Sequence, residues 1–286
     1  MANGRLLRAG GAALALCGTL LAGCTTSGSA ASGPSARDGS PSASPGTGTG
    51  TGTGPAGTGT ANTGAGPRSR RDVEADPAKL PRTPARAREL IGAVLIGPEE
   101  FGPGVVRGAP YERGTGWWPV LGDDCVWQRG ELPEDVLASR TRMYELPAAD
   151  GKGTVRLTAT VTVYRDPGTA DWSHAATLEE TLRCPEQRLG PHERLTGLFS
   201  QAHYFGEGQN TYAEDALLET GGFADERPGG PYPYLWWQAR VGPVLVSTAV
   251  KGAEGRPEDE STDLLTGPMV TMVARVLARV GWEERK

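Results

Sequence analysis

The chain has 286 residues, with 42 Gly, 23 Pro, 37% hydrophobic and only 6% aromatic residues. That composition is too glycine-rich for one packed globule throughout, so part of the chain is expected to be unstructured. A net charge of −5 argues against a nucleic-acid binder, and no run of about 20 apolar residues offers an ordinary membrane-spanning helix.

Arg5 and Arg8 precede a weakly apolar stretch from Ala9 to Ala22, the length of a signal-peptide core and too short to span a bilayer. The stretch ends in Leu21-Ala22-Gly23-Cys24, which resembles the bacterial lipobox. The resemblance implies removal of residues 1–23 and lipidation of Cys24. A plain secretory signal with a chance cysteine is the other reading. Acyl chains at Cys24 would hold the protein on the outer face of the cell membrane, each buried methylene contributing about 0.8 kcal/mol.

Residues 24–77 read as a linker. Between 25 and 67 there is no Val, Ile, Leu, Met, Phe, Trp or Tyr, and Gly and Thr alternate from Gly46 to Thr53. Nothing here buries enough apolar surface to offset the entropy of ordering. A flexible coil of this length spans about 36 Å root-mean-square, which sets the following domain off the membrane.

Residues 78–286 are expected to form one extracytoplasmic domain. Thr83 caps a predicted helix to Ile96, with Pro84 at its first position and Ala87, Leu90, Ile91, Val94 and Leu95 on one face. Residues 97–124 read as loop. Thr154–Tyr164 alternates apolar and polar residues, the signature of an antiparallel strand covered on one side, and Arg140–Leu146 is its hairpin partner. Pro167–Cys184 reads as a helix started by Thr169 or Asp171, with Trp172, Ala175, Ala176, Leu178 and Leu182 as its apolar positions.

Ala213–Glu219 is read as a further strand, and a second hairpin spans Tyr232–Lys251, turning at Gly242-Pro243. Pairing Val241 with Val244 gathers Leu235, Trp237, Ala239 and Val241 with Val244, Val246, Thr248 and Val250 into a core face. The opposite face carries Tyr232, Tyr234, Trp236, Gln238 and Arg240 beside Leu245, Ser247, Ala249 and Lys251. A final helix starts at Asp263 or Pro268 and ends at Val280, burying Met269, Val270, Val273, Val276, Leu277 and Val280. Strand pairs without alternating helices predict an α+β fold, an antiparallel sheet packed with about three helices.

With Cys17 in the expected leader and Cys24 the expected lipid site, Cys125 and Cys184 remain. Outside the cell membrane two such thiols predict one disulfide, although two buried thiols or a reactive pair fit the same count. His174, His192 and His203 are the only histidines. His174 is expected at the surface or as a cap. His192-Glu193 lacks the second histidine of a zinc-hydrolase helix, so no metal or cofactor is predicted. Neither a G-x-S-x-G elbow nor a phosphate-binding glycine loop is present.

The aromatic residues are more informative. Trp117 and Trp118 fall in predicted loop, and Trp236-Trp237 must point to opposite faces of a strand. Tyr232, Tyr234, Trp236, Trp117 and Trp118 therefore form a candidate ligand or partner surface. The alternative is a second layer that covers this face.

Three stretches together resemble actinobacterial surface lipoproteins and the extracellular sensor domain of mycobacterial serine/threonine kinases. They are the helix at Leu90-Ile91 running into Leu95-Ile96-Gly97-Pro98-Glu99-Glu100-Phe101-Gly102, the triplet Cys125-Val126-Trp127, and the strand-then-helix unit Val161–Cys184 with Trp172 before its cysteine. The resemblance covers about residues 80–282 and implies an α+β domain with a cleft for an unidentified ligand. Members with two disulfides differ from this chain, and only Cys125 and Cys184 carry over. The expected function is a lipid-anchored, non-enzymatic ligand-binding or sensor module whose ligand is a small apolar or cell-wall molecule. An envelope hydrolase with an unrecognised site and a wall-associated protein-interaction module are the alternatives.

Overall fold

The computed structural model describes residues 75–114, 116–202, 213–226 and 229–281. The leader, Cys24, most of the linker and His203 lie outside the described residues. Those that are described belong to one compact unit, Thr63–Lys286.

Helix α1 (Pro84–Val94) starts where the sequence predicts it. The Thr83 side chain accepts from the Arg86 N–H, and Ala87, Leu90, Ile91 and Val94 are buried. Strands β1 (Val106–Arg113), β2 (Trp118–Leu121) and β3 (Trp127–Gly130) follow. The first two occupy the segment expected to be loop. Both are mostly exposed, and β1 changes register against its neighbour between Arg107 and Glu112, so neither carries the alternation that marks a half-buried strand.

Strands β4 (Val136–Leu146) and β5 (Val155–Tyr164) make the predicted first hairpin. Helix α2 (Pro167–Arg183) leads to β6 (Gln187–Arg188), β7 (Glu193–Ala202), β8 (Asp215–Asp225), β9 (Gly229–Val241), β10 (Val244–Lys251) and α3 (Glu258–Val280). Among the described residues eight strands form one sheet in the order β1-β4-β5-β10-β9-β8-β7-β6, every neighbour pair antiparallel, while β2 and β3 form a separate ribbon. The fold is α+β, with three α-helices among the described residues. None of them is long and apolar enough to cross a membrane.

The β9–β10 hairpin has the expected register, Val241 opposite Val244, and its predicted core face is buried throughout. Gly242 turns it with φ of +55°, a left-handed conformation that glycine adopts without a side-chain clash. A Cβ at Gly242 would also approach Ala75 Cβ to 2.5 Å, because the start of the domain lies across this turn. The Ala75 and Gly242 N–H groups both donate to Glu214 Oε1, and the Asp76 N–H donates to the Val280 carbonyl.

Helices α1 and α3 cover one face of the sheet and close the main core around Ile91, Val155, Leu157, Trp237, Met269 and Met272. Helix α3 begins at Glu258, earlier than either predicted start, and carries Pro268 inside it. Val270, expected in its buried stripe, is 43% exposed.

Helix α2 lies on the opposite face and is rotated from expectation. Asp166, not Thr169 or Asp171, is its N-cap, accepting from the Thr169 N–H at 2.9 Å. Its buried residues are Ala170, His174 and Thr181, whereas Trp172 is 78% and Leu182 85% exposed. Ala175 and Ala176 are exposed as well, and Leu178 is half-buried. The reason lies beneath the helix. The sheet face there presents Gln238, Glu219 and the Tyr164 hydroxyl, and only polar helix residues satisfy those groups.

Candidate functional site: the sheet face under the middle helix

The aromatic and polar face of β9 runs from Tyr232 to Arg240, flanked by β8 and β10. At one end the Arg240 guanidinium donates to Glu214, Asp215 and the Gly242 carbonyl, tying the acid pair to the hairpin turn.

In the middle α2 seals the face. His174, expected outside, is buried with Nδ1 2.7 Å from Gln238 Oε1. Burial holds its pKa below the usual imidazole value despite that bond, because the charged ring loses its water. Two turns further on, Thr181 meets Glu219, whose Oε2 also lies 3.1 Å from Ser200 Oγ and whose carboxyl accepts from the Tyr234 hydroxyl. Every one of these partners is a hydroxyl. Burial therefore raises the Glu219 carboxyl above the ordinary range, and the three hydrogen bonds oppose this only in part. The Tyr234 hydroxyl is in turn pushed well up by its burial and by the neighbouring carboxylate. Ser173 turns away from His174 to bond the Tyr164 hydroxyl at 2.6 Å, so these two neighbours do not form a dyad.

At the far end two cations and two carboxylates surround Phe223. Arg156 bonds Glu193 and Asp225 at 2.5 and 3.0 Å, and Lys251 bonds Glu193 at 2.7 Å. Both cations sit about 5.0 Å from the Phe223 ring centre. Burial alone would raise the Glu193 carboxyl, but Lys251 and Arg156 outweigh it and hold the group below its ordinary range. Burial lowers the Lys251 ammonium, and Glu193 only partly restores it.

Beyond Glu193 the β6–β7 hairpin forms the wall of a cleft of about 350 Å³. Its lining is Arg188, Gly190, Pro191, His192, Glu193, Arg194 and Glu226. The hairpin is pinned through the disulfide between Cys125 and Cys184, whose Cα atoms are 5.5 Å apart. The Arg188 N–H donates to the Cys125 carbonyl, and Trp127 Nε1 donates to Gln187 Oε1 at 2.7 Å.

The five aromatic residues singled out from the sequence do not form one surface: Tyr232, Tyr234 and Trp236 follow one another along β9, and Trp117 and Trp118 lie elsewhere. Tyr234 is buried and packs with Trp236, Leu195, Leu198 and Phe223. Tyr232 is half-buried at the outer end of the same strand, opposite Phe223. Trp118 packs in a second cluster with Val136, Tyr164, Ala170 and Leu245. Trp117 is half-buried, with the Arg129 guanidinium 5.1 Å from its ring.

Composition did not single out Glu219, Thr181, Ser200 or the arginines of the cleft. Arg156 and Lys251 were legible as the polar ends of alternating strands. Glu193 was not, because β7 shifts register between Thr196 and Phe199 and its alternation is broken. Among the described residues no group of three or more His, Cys, Asp or Glu could hold a metal ion. No protein-family model matches the chain, and no curated protein sequence matches it.

Proposed function

We propose that this chain is a lipid-anchored extracytoplasmic module that binds a ligand at the cell envelope and carries out no catalysis. The Cys125–Cys184 disulfide is the observation that supports the reading most directly. Such a bond persists in oxidising compartments and is rare in the cytosol. It also fixes the hairpin beside the cleft, which is what a preorganised binding site requires. The leader, the lipobox-like Leu21–Cys24 and the featureless linker agree with display at the end of a tether. The polar groups beneath α2 bond one another and the helix.

Cell fractionation with mass analysis of the N-terminus tests the anchor. The wild type is expected in the membrane fraction with lipid on Cys24 and residues 1–23 removed. Cys24→Ala is expected to leave that fraction. Native mass spectrometry of the full chain is expected to show a co-purifying small molecule. Recovery of unprocessed protein from the cytosol with reduced Cys125 and Cys184 refutes the proposal.

A further inference from the structure

Across the β6–β7 hairpin Arg188 stands directly opposite Arg194. Like charges in that position repel each other, and an anion between them would relieve the repulsion. The carboxylates nearby are committed elsewhere. Glu193 bonds Arg156 and Lys251, and Glu226 bonds His192 Nδ1 at 2.9 Å. Among the described residues neither guanidinium has a hydrogen-bond or ion-pair partner. Both side chains are exposed and line the same cleft.

The backbone keeps them together. Arg188 is bonded to the Cys125 carbonyl on one side and paired with Arg194 on the other, and Cys125 is covalently tied to Cys184 just before β6. The strands cannot drift apart to relieve the repulsion. A guanidinium presents its donors as a rigid planar fork that matches carboxylate and phosphate oxygens. Two forks facing one space offer more donors than a single carboxylate accepts, and the several oxygens of a phosphoryl group suit them better.

We infer that the cleft walled by Arg188 and Arg194 binds a phosphoryl group, clasped between the two guanidinia. This rests on the binding-module reading and names the class of its ligand. The phosphoryl group is carried either by a soluble monoester or by the diester of a lipid or wall-polymer headgroup, and both present the same oxygens to the cleft.

The test is calorimetric titration of the full chain with inorganic phosphate, glycerol 3-phosphate and the diester glycerophosphoglycerol, repeated on Arg188→Gln/Arg194→Gln. Both positions are exposed, so the variant is expected to fold. In phosphate-free buffer it is expected to melt at or above the wild-type temperature, because a repulsion has been removed. Its affinity is expected to fall by at least about tenfold, the scale of a lost charged hydrogen bond. Stronger binding of the monoester assigns a soluble ligand, and stronger binding of the diester assigns a headgroup. Absence of saturable heat up to about 10 mM, which corresponds to almost no useful affinity, overturns the inference. Equal affinity of the variant overturns it too. If a co-purifying ligand stays bound in the variant, the arginine site falls and the binding module stands.

Discussion

Replacing Trp172 by Ala asks which side of α2 is inside. A Trp side chain carries about 200 Å² of surface. At 78% exposure only about a fifth of it is sheltered, near 45 Å², which contributes about 1 kcal/mol at 25 cal/mol per Å². Alanine returns a few tenths of a kcal/mol through its better helix propensity. The expected net loss is therefore about 0.5–1 kcal/mol, against about 3–5 kcal/mol if Trp172 belonged to a core. His174→Ala is the paired measurement. It removes a buried ring and leaves Gln238 Oε1 without its 2.7 Å partner, an expected loss of about 2–3 kcal/mol. Urea unfolding of the full chain followed by far-ultraviolet circular dichroism gives both values, provided the slope is unchanged. A Trp172→Ala loss above about 2.5 kcal/mol, the range of core truncations, refutes the orientation of α2 and with it the assignment of the polar layer beneath it.

Removing the disulfide as Cys125→Ala/Cys184→Ala opens a loop with a sequence separation of 59 residues. The chain-entropy relation then predicts a loss of about 4 kcal/mol in the same unfolding experiment, and a loss under about 1 kcal/mol contradicts a structural role. Glu219 predicts a pH dependence of defined sign. Its carboxyl is raised in the folded protein, so the native state holds the proton more tightly than the unfolded chain. The stability from this group is complete below the ordinary carboxylate range and is lost as pH rises toward the folded value. Glu219→Gln is expected to lose this slope and to gain on the wild type with rising pH. A wild-type-to-variant difference that stays constant with pH disproves the assignment.

Much of the architecture was legible wherever one face of an element meets the main core. Alternation in β5, β9 and β10 and the stripe of α1 follow directly from burial against a purely apolar layer, and the Val241–Val244 register needs only the Gly242 turn. The bond between Cys125 and Cys184 was expected from the count of cysteines outside the expected leader and lipid site. What the chain alone did not disclose has two causes: strands without a periodic signal, and polar side chains whose partners come from other elements. β1 and β2 are exposed edge or ribbon strands without a periodic signal, and β7 loses its period at a register shift. The buried side of α2 could not be read from hydrophobicity. Which side faces in was decided by Gln238, Glu219 and Tyr164 arriving from β9, β8 and β5, and a buried polar layer selects His174 and Thr181 over Trp172 and Leu182. Likewise Arg188 and Arg194 are unremarkable in a mixed-charge stretch, and only strand pairing sets one residue opposite the other.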